Sequence, residues 1–593
     1  MNLPLRRIVM SGLGHRCLSW SVALIATLLA LSSVWTGLLF DDYMQRTVLL
    51  GDPVMDRYAG SRFGMFDFAD GDPGRTRALM DLGVMPWWAH EKVRLTFCRP
   101  VTVLTHLLDY RLWPQRPALM HLHNLLWFAT LVLVVALVYR RFIGPGWVAG
   151  LAALLYAVDD AHAMPAGWIA NRNGVLGALF GMLALLAHDR WRKDGSRAAG
   201  VMAPGCLVLG LLSNEGAIAA TAYLFAYALF LDEGRWTRRA LSLAPYAIIV
   251  VVWRVVYSAL GYGVWGSELY IDPLHSPSRF LAALWHRVPV LFLAQWAAPP
   301  SDFFIFLPTT AKVALCVAGV ALILWVLGSL APLLRTDRVA RFWAVGMALA
   351  LIPICATFPM DRLLLFVGIG AMGLVAQFIA MVSTPPGEGT ANAPRSPLWR
   401  ACARPLYIVL IVVHLVIAPL LFPVRFALFA GFSNRMAACI QDAPMDETIA
   451  AKTLVIPSAP NVFYTSYFPP VRAVKRQPMP GQIRTLGPNT GLPVPVHITR
   501  TDAHTLVVEP ESGFPWFLVR DADHPLPPGT TIALDGMSVD VMSVAKAGWP
   551  RRVAYRFDVP LEDPGLVWLN VENNVYVPWQ PPEVGQSVTL NEK

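Results

Sequence analysis

Two adjacent carboxylates, Asp41 and Asp42, stand directly after a long apolar run. Like charges side by side repel, and at the exit of a membrane-length segment they point to chemistry more than to a solvated helix terminus. Arg99, Asp159, Asp160, His162, Arg172, Glu215, Asp361 and Arg362 also fall close to the ends of apolar runs. This set suits transfer of a group from a lipid phosphate. A carboxylate takes the proton of an acceptor hydroxyl as general base, and the departing phosphate needs a guanidinium able to grip it bidentately. A divalent cation between carboxylates is compatible with that chemistry and not required by it; no other cofactor is expected.

The elements that must position these residues are apolar helices. Hydrophobic residues make up 55% of the 593 and charged residues 15%, with a mean hydropathy of +0.49. A soluble domain carries roughly a quarter charged residues, so this composition indicates a membrane protein. The net charge of +9 is spread through short loops and is no nucleic-acid footprint. Seven cysteines show no metal-ligand spacing.

Apolar stretches of membrane-spanning length fall at 17–40, 118–138, 146–158, 174–188, 200–213, 217–231, 240–260, 309–334, 341–358, 362–383 and 404–424. The expected fold is a polytopic α-helical domain crossing the bilayer about eleven times, followed by a β-rich extracytoplasmic domain. Alternating the helices from a cytoplasmic start at Arg6, Arg7 and Arg16 puts Arg140, Arg141, Arg190, Arg192, Arg235, Arg238, Arg335, Arg338, Arg395 and Arg400 inside, as the positive-inside rule requires. The carboxylates and arginines of the first paragraph then gather outside. The segment 281–298, interrupted by His286, Arg287 and Pro289, is expected as an interfacial or re-entrant piece. The domains are 1–424, with a large first outer loop at 41–117, and 425–593, where short alternating runs such as HTLVVEP and RRVAYRFDV predict strands of a sandwich or barrel.

Five blocks, in order, resemble the GT-C membrane glycosyltransferases, nearest the protein O-mannosyltransferases and their transmembrane, tetratricopeptide-repeat relatives. LLFDDYMQR is similar to the acidic-pair motif whose carboxylate is the family's base. FCRPVTVLTHLLDYRLWPQRPALMHLHNLL, the most specific match, places Arg99-Pro100 at a position associated with donor phosphate. HAMPAGWIANRNGVLGALF carries His162, Trp168 and Arg172; SNEGAIAATAYLF carries Glu215; FPMDRLLLFVGIG carries Arg362. Met164, Gly174 and Asn214 depart from the pattern, and the repeats are absent.

The resemblance implies transfer of a sugar from a polyprenyl-phosphate donor to an acceptor hydroxyl on a glycan, lipid or protein at the outer face of the membrane; with no repeats and no retention signal, a bacterial cytoplasmic membrane is the expected location. Asp41 or Asp42 is the expected base. Arg99, Arg172 and Arg362 are the expected phosphate contacts, and Asp160, His162 and Glu215 the supporting residues. The same charges would also serve a transporter or flippase of a lipid-linked or anionic substrate, or a scaffold without activity. The missing internal repeat and the placement of charge at helix ends disfavour transport. His121 and His123 are expected to bond neighbouring helices, and Trp87, Trp88, Trp168 and Trp296 to form an interfacial belt.

Overall fold

The computed structural model describes residues 10–52, 62–383, 396–488, 494–514, 519–545 and 548–591. Arg6, Arg7, Arg395 and most of the 383–397 linker lie outside the described residues. The chain forms two compact units: Met1–Gly37, Cys98–Leu260 and Pro273–Phe429 make the first; Leu38–Phe97, Gly261–Asp272 and Ala430–Lys593 make the second.

The first unit is helical. Every expected apolar segment is a helix, but their lengths divide them. Seven among the described residues are long and apolar enough to cross a membrane: Leu18–Trp35, Pro117–Phe142, Ile169–Asp194, Trp236–Ala259, Thr309–Thr336, Leu365–Ser383 and Pro397–Gln441. Trp147–Ala157, Arg197–Leu211 and Glu215–Phe230 are shorter, and Arg338–Ile354 has 17 residues. At about 1.5 Å per residue an eleven-residue helix reaches about half-way through a hydrocarbon core roughly 30 Å thick. Seven of the eleven expected segments thus meet both the length and the composition of a membrane crossing among the described residues, and four form shorter helices. The segment expected to be interfacial is one helix, Pro277–Trp296, with Pro289 inside it.

Burial shows which solvent this unit is built for. Leu365–Ser383 is 83% buried over its most apolar window, whereas Trp236–Ala259 is 17% buried and exposes Leu241, Ile248, Val251 and Val255. Apolar faces of that extent are not left to water; the unit is an integral membrane domain whose outer helices face lipid.

The central helix is packed by a device that hydropathy does not reveal. Tyr139 and Tyr223 donate to the carbonyls of Ile369 and Phe366, both at 2.6 Å, and the Tyr223 hydroxyl accepts from Gly370 N at 2.9 Å. A Cβ on Gly370 would stand 2.7 Å from Trp343 O and 2.9 Å from that hydroxyl. Small residues permit such close helix approach in membranes.

In the second unit the strands are β1 Asp67–Asp70, β2 Arg94–Thr96, β3 Gly263–Trp265, β4 Thr453–Ala459, β5 Gln482–Pro488, β6 Val496–Arg500, β7 Thr505–Pro510, β8 Thr531–Leu534, β9 Met537–Val544, β10 Pro550–Phe557, β11 Leu566–Glu572, β12 Val575–Pro578 and β13 Ser587–Leu590. They form sheets in the orders β1-β2-β3, β13-β6-β7-β10-β9-β8 and β12-β11-β4-β5. The six-stranded sheet is antiparallel throughout. In the four-stranded sheet β4 runs parallel to both β5 and β11. Parallel pairing needs a crossover, supplied by the helices Phe463–Ser466 and Phe468–Lys475 between β4 and β5.

The expected domain division is corrected here. Residues 38–97 belong to the second unit, not to a membrane domain ending at 424: β2, paired with β1, also pairs with β3 from 261–272, and Trp87 and Asp81 bond Tyr555 and Arg484 of the C-terminal part. Among the described residues the unit is mixed α/β, more than a plain sandwich or barrel.

Replacing Gly370 by alanine forces its Cβ onto backbone and a buried hydroxyl. The expected cost is about 1–3 kcal/mol, read as a lowered thermal midpoint of the purified protein in detergent. Gly205, whose Cβ would meet nothing within 4 Å, serves as the control.

Candidate functional site

Phe40 turns the chain sharply, with φ at +45°. A large side chain rarely adopts that region, and such strain tends to collect at working sites. The turn is held by packing: the Phe40 ring lies 5.7 Å from Phe432 and from Tyr467, and its N–H donates to Ser433 Oγ at 3.0 Å. The result is that Asp41 and Asp42 open the helix Asp41–Leu50, where the backbone dipole favours negative charge.

The two carboxylates have different surroundings. Asp42 is buried and accepts from Leu39 N at 2.9 Å, so it helps close its own helix terminus. Asp41 is half-buried and accepts from the Tyr467 hydroxyl. Both belong to the second unit; the remaining expected site residues belong to the first.

Within the first unit, two ion pairs join separate sequence blocks. Arg99 precedes Pro100 at the start of the helix Pro100–Leu112. That start docks on the turn at 212–215 through Val101 N to Leu212 O at 3.1 Å and Thr102 Oγ1 to Ser213 O at 2.9 Å. Arg99 thereby reaches Glu215 through Nε at 2.9 Å and Nη2 at 2.8 Å. Tyr257 donates to the same carboxylate at 3.3 Å. Asn214, itself a departure from the family pattern, donates to Asn173, the neighbour of the departure Gly174, at 2.8 Å.

Arg172 is fully buried. Its Nη2 meets Asp109 at 2.7 Å and Met120 O at 3.1 Å. Asp109 also bonds His123 Nδ1 at 2.5 Å, and His123 Nε2 accepts from Trp127 at 2.9 Å. His121 bonds the carbonyls of Gly167 and Gly37 at 2.9 and 2.8 Å. His162 is enclosed by the rings of Tyr156 and Phe128, and burial pushes its imidazole down to about 3.

A third cluster centres on Arg425. Its guanidinium pairs with Asp160 at 2.6 Å, with Asp361 at 2.8 Å and with Asp302. Asp361 accepts from Ser301 N and Oγ at 2.8 and 2.6 Å. Asp159 accepts from Gln295 at 2.8 Å and caps its own turn at Ala161 N. Burial, followed by neighbouring carboxylates, raises Asp160 to about 6; Asp159 is also raised to about 6, mainly by burial. Beside this cluster the Arg362 guanidinium stacks 5.4 Å over Trp168. Among the described residues no carboxylate pairs with Arg362, and no group of three or more His, Cys, Asp or Glu is arranged to hold a metal ion.

Sequence reasoning thus named Arg99, Glu215, Asp160, Arg172 and Arg362, and the structure joins the first two directly. It did not single out Asp109, Asp302, Gln295 or Arg425. Arg425 carried a usable signal: it is a lone charge in the apolar run LLFPVRFALF, where an ionisable group normally has a partner.

No family model matches the chain. The human protein O-mannosyl-transferase TMTC3 is 27% identical over 141 residues, which are 23% of this chain and 15% of that protein. Most of that relative's length is therefore not spanned. An oligosaccharyltransferase of Archaeoglobus fulgidus tethered to an acceptor peptide has 14% identity and a TM-score of 0.40, covering 81% of this chain and 65% of its own. The Archaeoglobus oligosaccharyltransferase AglB with an inhibitory peptide and a dolichol-phosphate has 13% identity and a TM-score of 0.41, covering 78% and 64%. ArnT from Cupriavidus metallidurans bound to undecaprenyl phosphate has 14% identity and a TM-score of 0.36, covering 90% and 97%. At these scores the structural likenesses carry no argument about reaction or site.

Replacing Arg425 by alanine leaves three carboxylates without their shared cation, an expected loss of about 3–5 kcal/mol. Asp159 and Asp160 are raised in the folded protein, so between about pH 4 and 6 the folded state binds protons that the unfolded state does not. Stability from this source is present at low pH and lost as pH rises through 6. The deficit of Arg425→Ala is therefore smaller at pH 5 than at pH 8 in paired thermal denaturation; an equal deficit contradicts the assignment.

Proposed function

We propose that this chain is a membrane glycosyltransferase of the GT-C type, moving a sugar from a polyprenyl-phosphate donor to an acceptor hydroxyl. The observation that supports this most is the pair of ion contacts, Arg99 with Glu215 and Asp109 with Arg172. They bind together three of the sequence blocks in which the family resemblance resides. The partial likeness to a protein O-mannosyl-transferase agrees with it.

Asp41 is the base in this reading, since Asp42 is buried and engaged at its own helix terminus. The acceptor O–H proton passes to Asp41, the oxygen bonds to the sugar's anomeric carbon, and the bond from that carbon to the phosphate oxygen breaks. The released phosphate gathers charge that a guanidinium stabilises. Arg362 is the phosphate contact, stacked on Trp168 with no carboxylate partner among the described residues. Arg99, shared with Glu215, is a second contact. Arg172, fully buried against Asp109, positions the helices around it. Asp160 and Glu215 support these arginines, and His162 fills the packing behind them. The arginine bias of the loops agrees with a reacting face on the outer side of the membrane, which in this reading is a bacterial cytoplasmic membrane.

The test is sugar transfer by the full chain in nanodiscs with a panel of polyprenyl-phosphate sugars. Asp41→Asn is expected to lower kcat by about 10²–10⁴-fold while donor binding persists, and Arg362→Ala to raise the donor KM. Full turnover by Asp41→Asn removes it as the base. Failure of every donor to bind wild type removes the glycosyltransferase reading.

A further inference from the structure

We infer that the first unit carries a site for the phosphate of an anionic glycerophospholipid, formed by Lys312 and His286 around Phe304. This inference does not rest on the glycosyltransferase reading. Lys312 lies one turn into the apolar helix Thr309–Thr336 and is half-buried. Its ammonium donates to Ile305 O at 3.1 Å and sits 5.7 Å over the Phe304 ring. Among the described residues no carboxylate pairs with it. Asp302, in the same short turn Ser301–Phe306, is held by Arg425.

The His286 imidazole lies nearly parallel to the same Phe304 ring, at 6.4 Å and 17°. An ammonium has three donors. With one on a carbonyl, Lys312 has N–H groups left for an acceptor, and His286 adds another polar group on the same ring.

A lysine near a helix end can also snorkel to water. Two features favour a lipid headgroup. First, the ammonium is tethered by a carbonyl and an aromatic face, so it is positioned before any ligand arrives. Second, the turn that holds the ammonium and the helix that carries His286 bear large apolar side chains that are open: Phe303 is 63% exposed and Phe306 50%, Trp285 86% and Leu281 65%. Exposed aromatics beside a fixed cation match the chemistry of a lipid, with acyl chains on the rings and phosphate on the ammonium.

The experiment is native mass spectrometry of the full chain in detergent, titrated separately with phosphatidylglycerol, phosphatidylcholine and undecaprenyl phosphate. Wild type is expected to retain phosphatidylglycerol over phosphatidylcholine. Lys312→Ala is expected to weaken phosphatidylglycerol retention about fivefold, the effect of one basic residue at an anionic lipid surface, and Lys312→Arg to restore it. His286→Ala is expected to weaken it less. Thermal midpoints of the variants verify folding, and the wild-type comparison of the two phospholipids tests the inference even where a variant unfolds. Equal retention of both phospholipids by wild type, or undiminished phosphatidylglycerol binding by folded Lys312→Ala, overturns it. Lys312 dependence confined to undecaprenyl phosphate also overturns it and assigns the site to a polyprenyl phosphate.

Discussion

Charge inside an apolar helical unit, at the depth of the acyl chains, must be met by charge or hydrogen bonds from the protein itself, because hydrocarbon supplies neither. Arg425 shows how strongly this constraint shapes the first unit. It comes from the long helix Pro397–Gln441, while its three partners come from the turns at Asp160–His162, Ser301–Phe306 and Asp361–Leu363. One guanidinium therefore ties three loops to one helix. Removal of Arg425 would leave uncompensated negative charge where its desolvation is most costly.

The same rule explains the polar side chains deeper in the unit. Tyrosine hydroxyls take the carbonyls near the start of Leu365–Ser383, and glycines there let neighbouring helices approach to backbone contact. Arg172 and Asp109 neutralise each other with neither exposed. These contacts give a rigid frame from which Arg99 and Arg362 project with part of their surface still accessible. Of the arginines that chemistry could use, the frame engages Arg172 fully and Arg99 partly, and it stacks Arg362 on an indole with no acidic partner among the described residues.

The second unit obeys a different solvent. Its six-stranded sheet alternates buried and open positions along β9 and β10, whereas β4, between two parallel neighbours, is buried on nearly every residue. A strand covered on both faces reads as a continuous apolar run, and TLVIP is such a run. At Phe40 a strained backbone is held by three aromatic neighbours, so packing within this unit sets the geometry of the acidic pair.

The sequence by itself determined the membrane class, the position of most apolar helices, the β character of the C-terminal part, and the acidic pair with most of the arginines. These properties are local: hydropathy over twenty residues, alternation over six, and charge beside an apolar run are all carried by neighbours in the chain. Helix length is only partly local, because an apolar run does not disclose where its helix ends. Partnership is not local. That residues 38–97 fold with the C-terminal part depends on contacts such as Trp87 with Tyr555 and Asp81 with Arg484, which are 468 and 403 residues apart in the chain. That Glu215 belongs to Arg99, Asp109 to Arg172 and three aspartates to Arg425 depends on which helices pack together. Only the tertiary structure decided those pairings, because the energy of a buried charge is set by what lies within a few ångströms of it and not by its place in the chain.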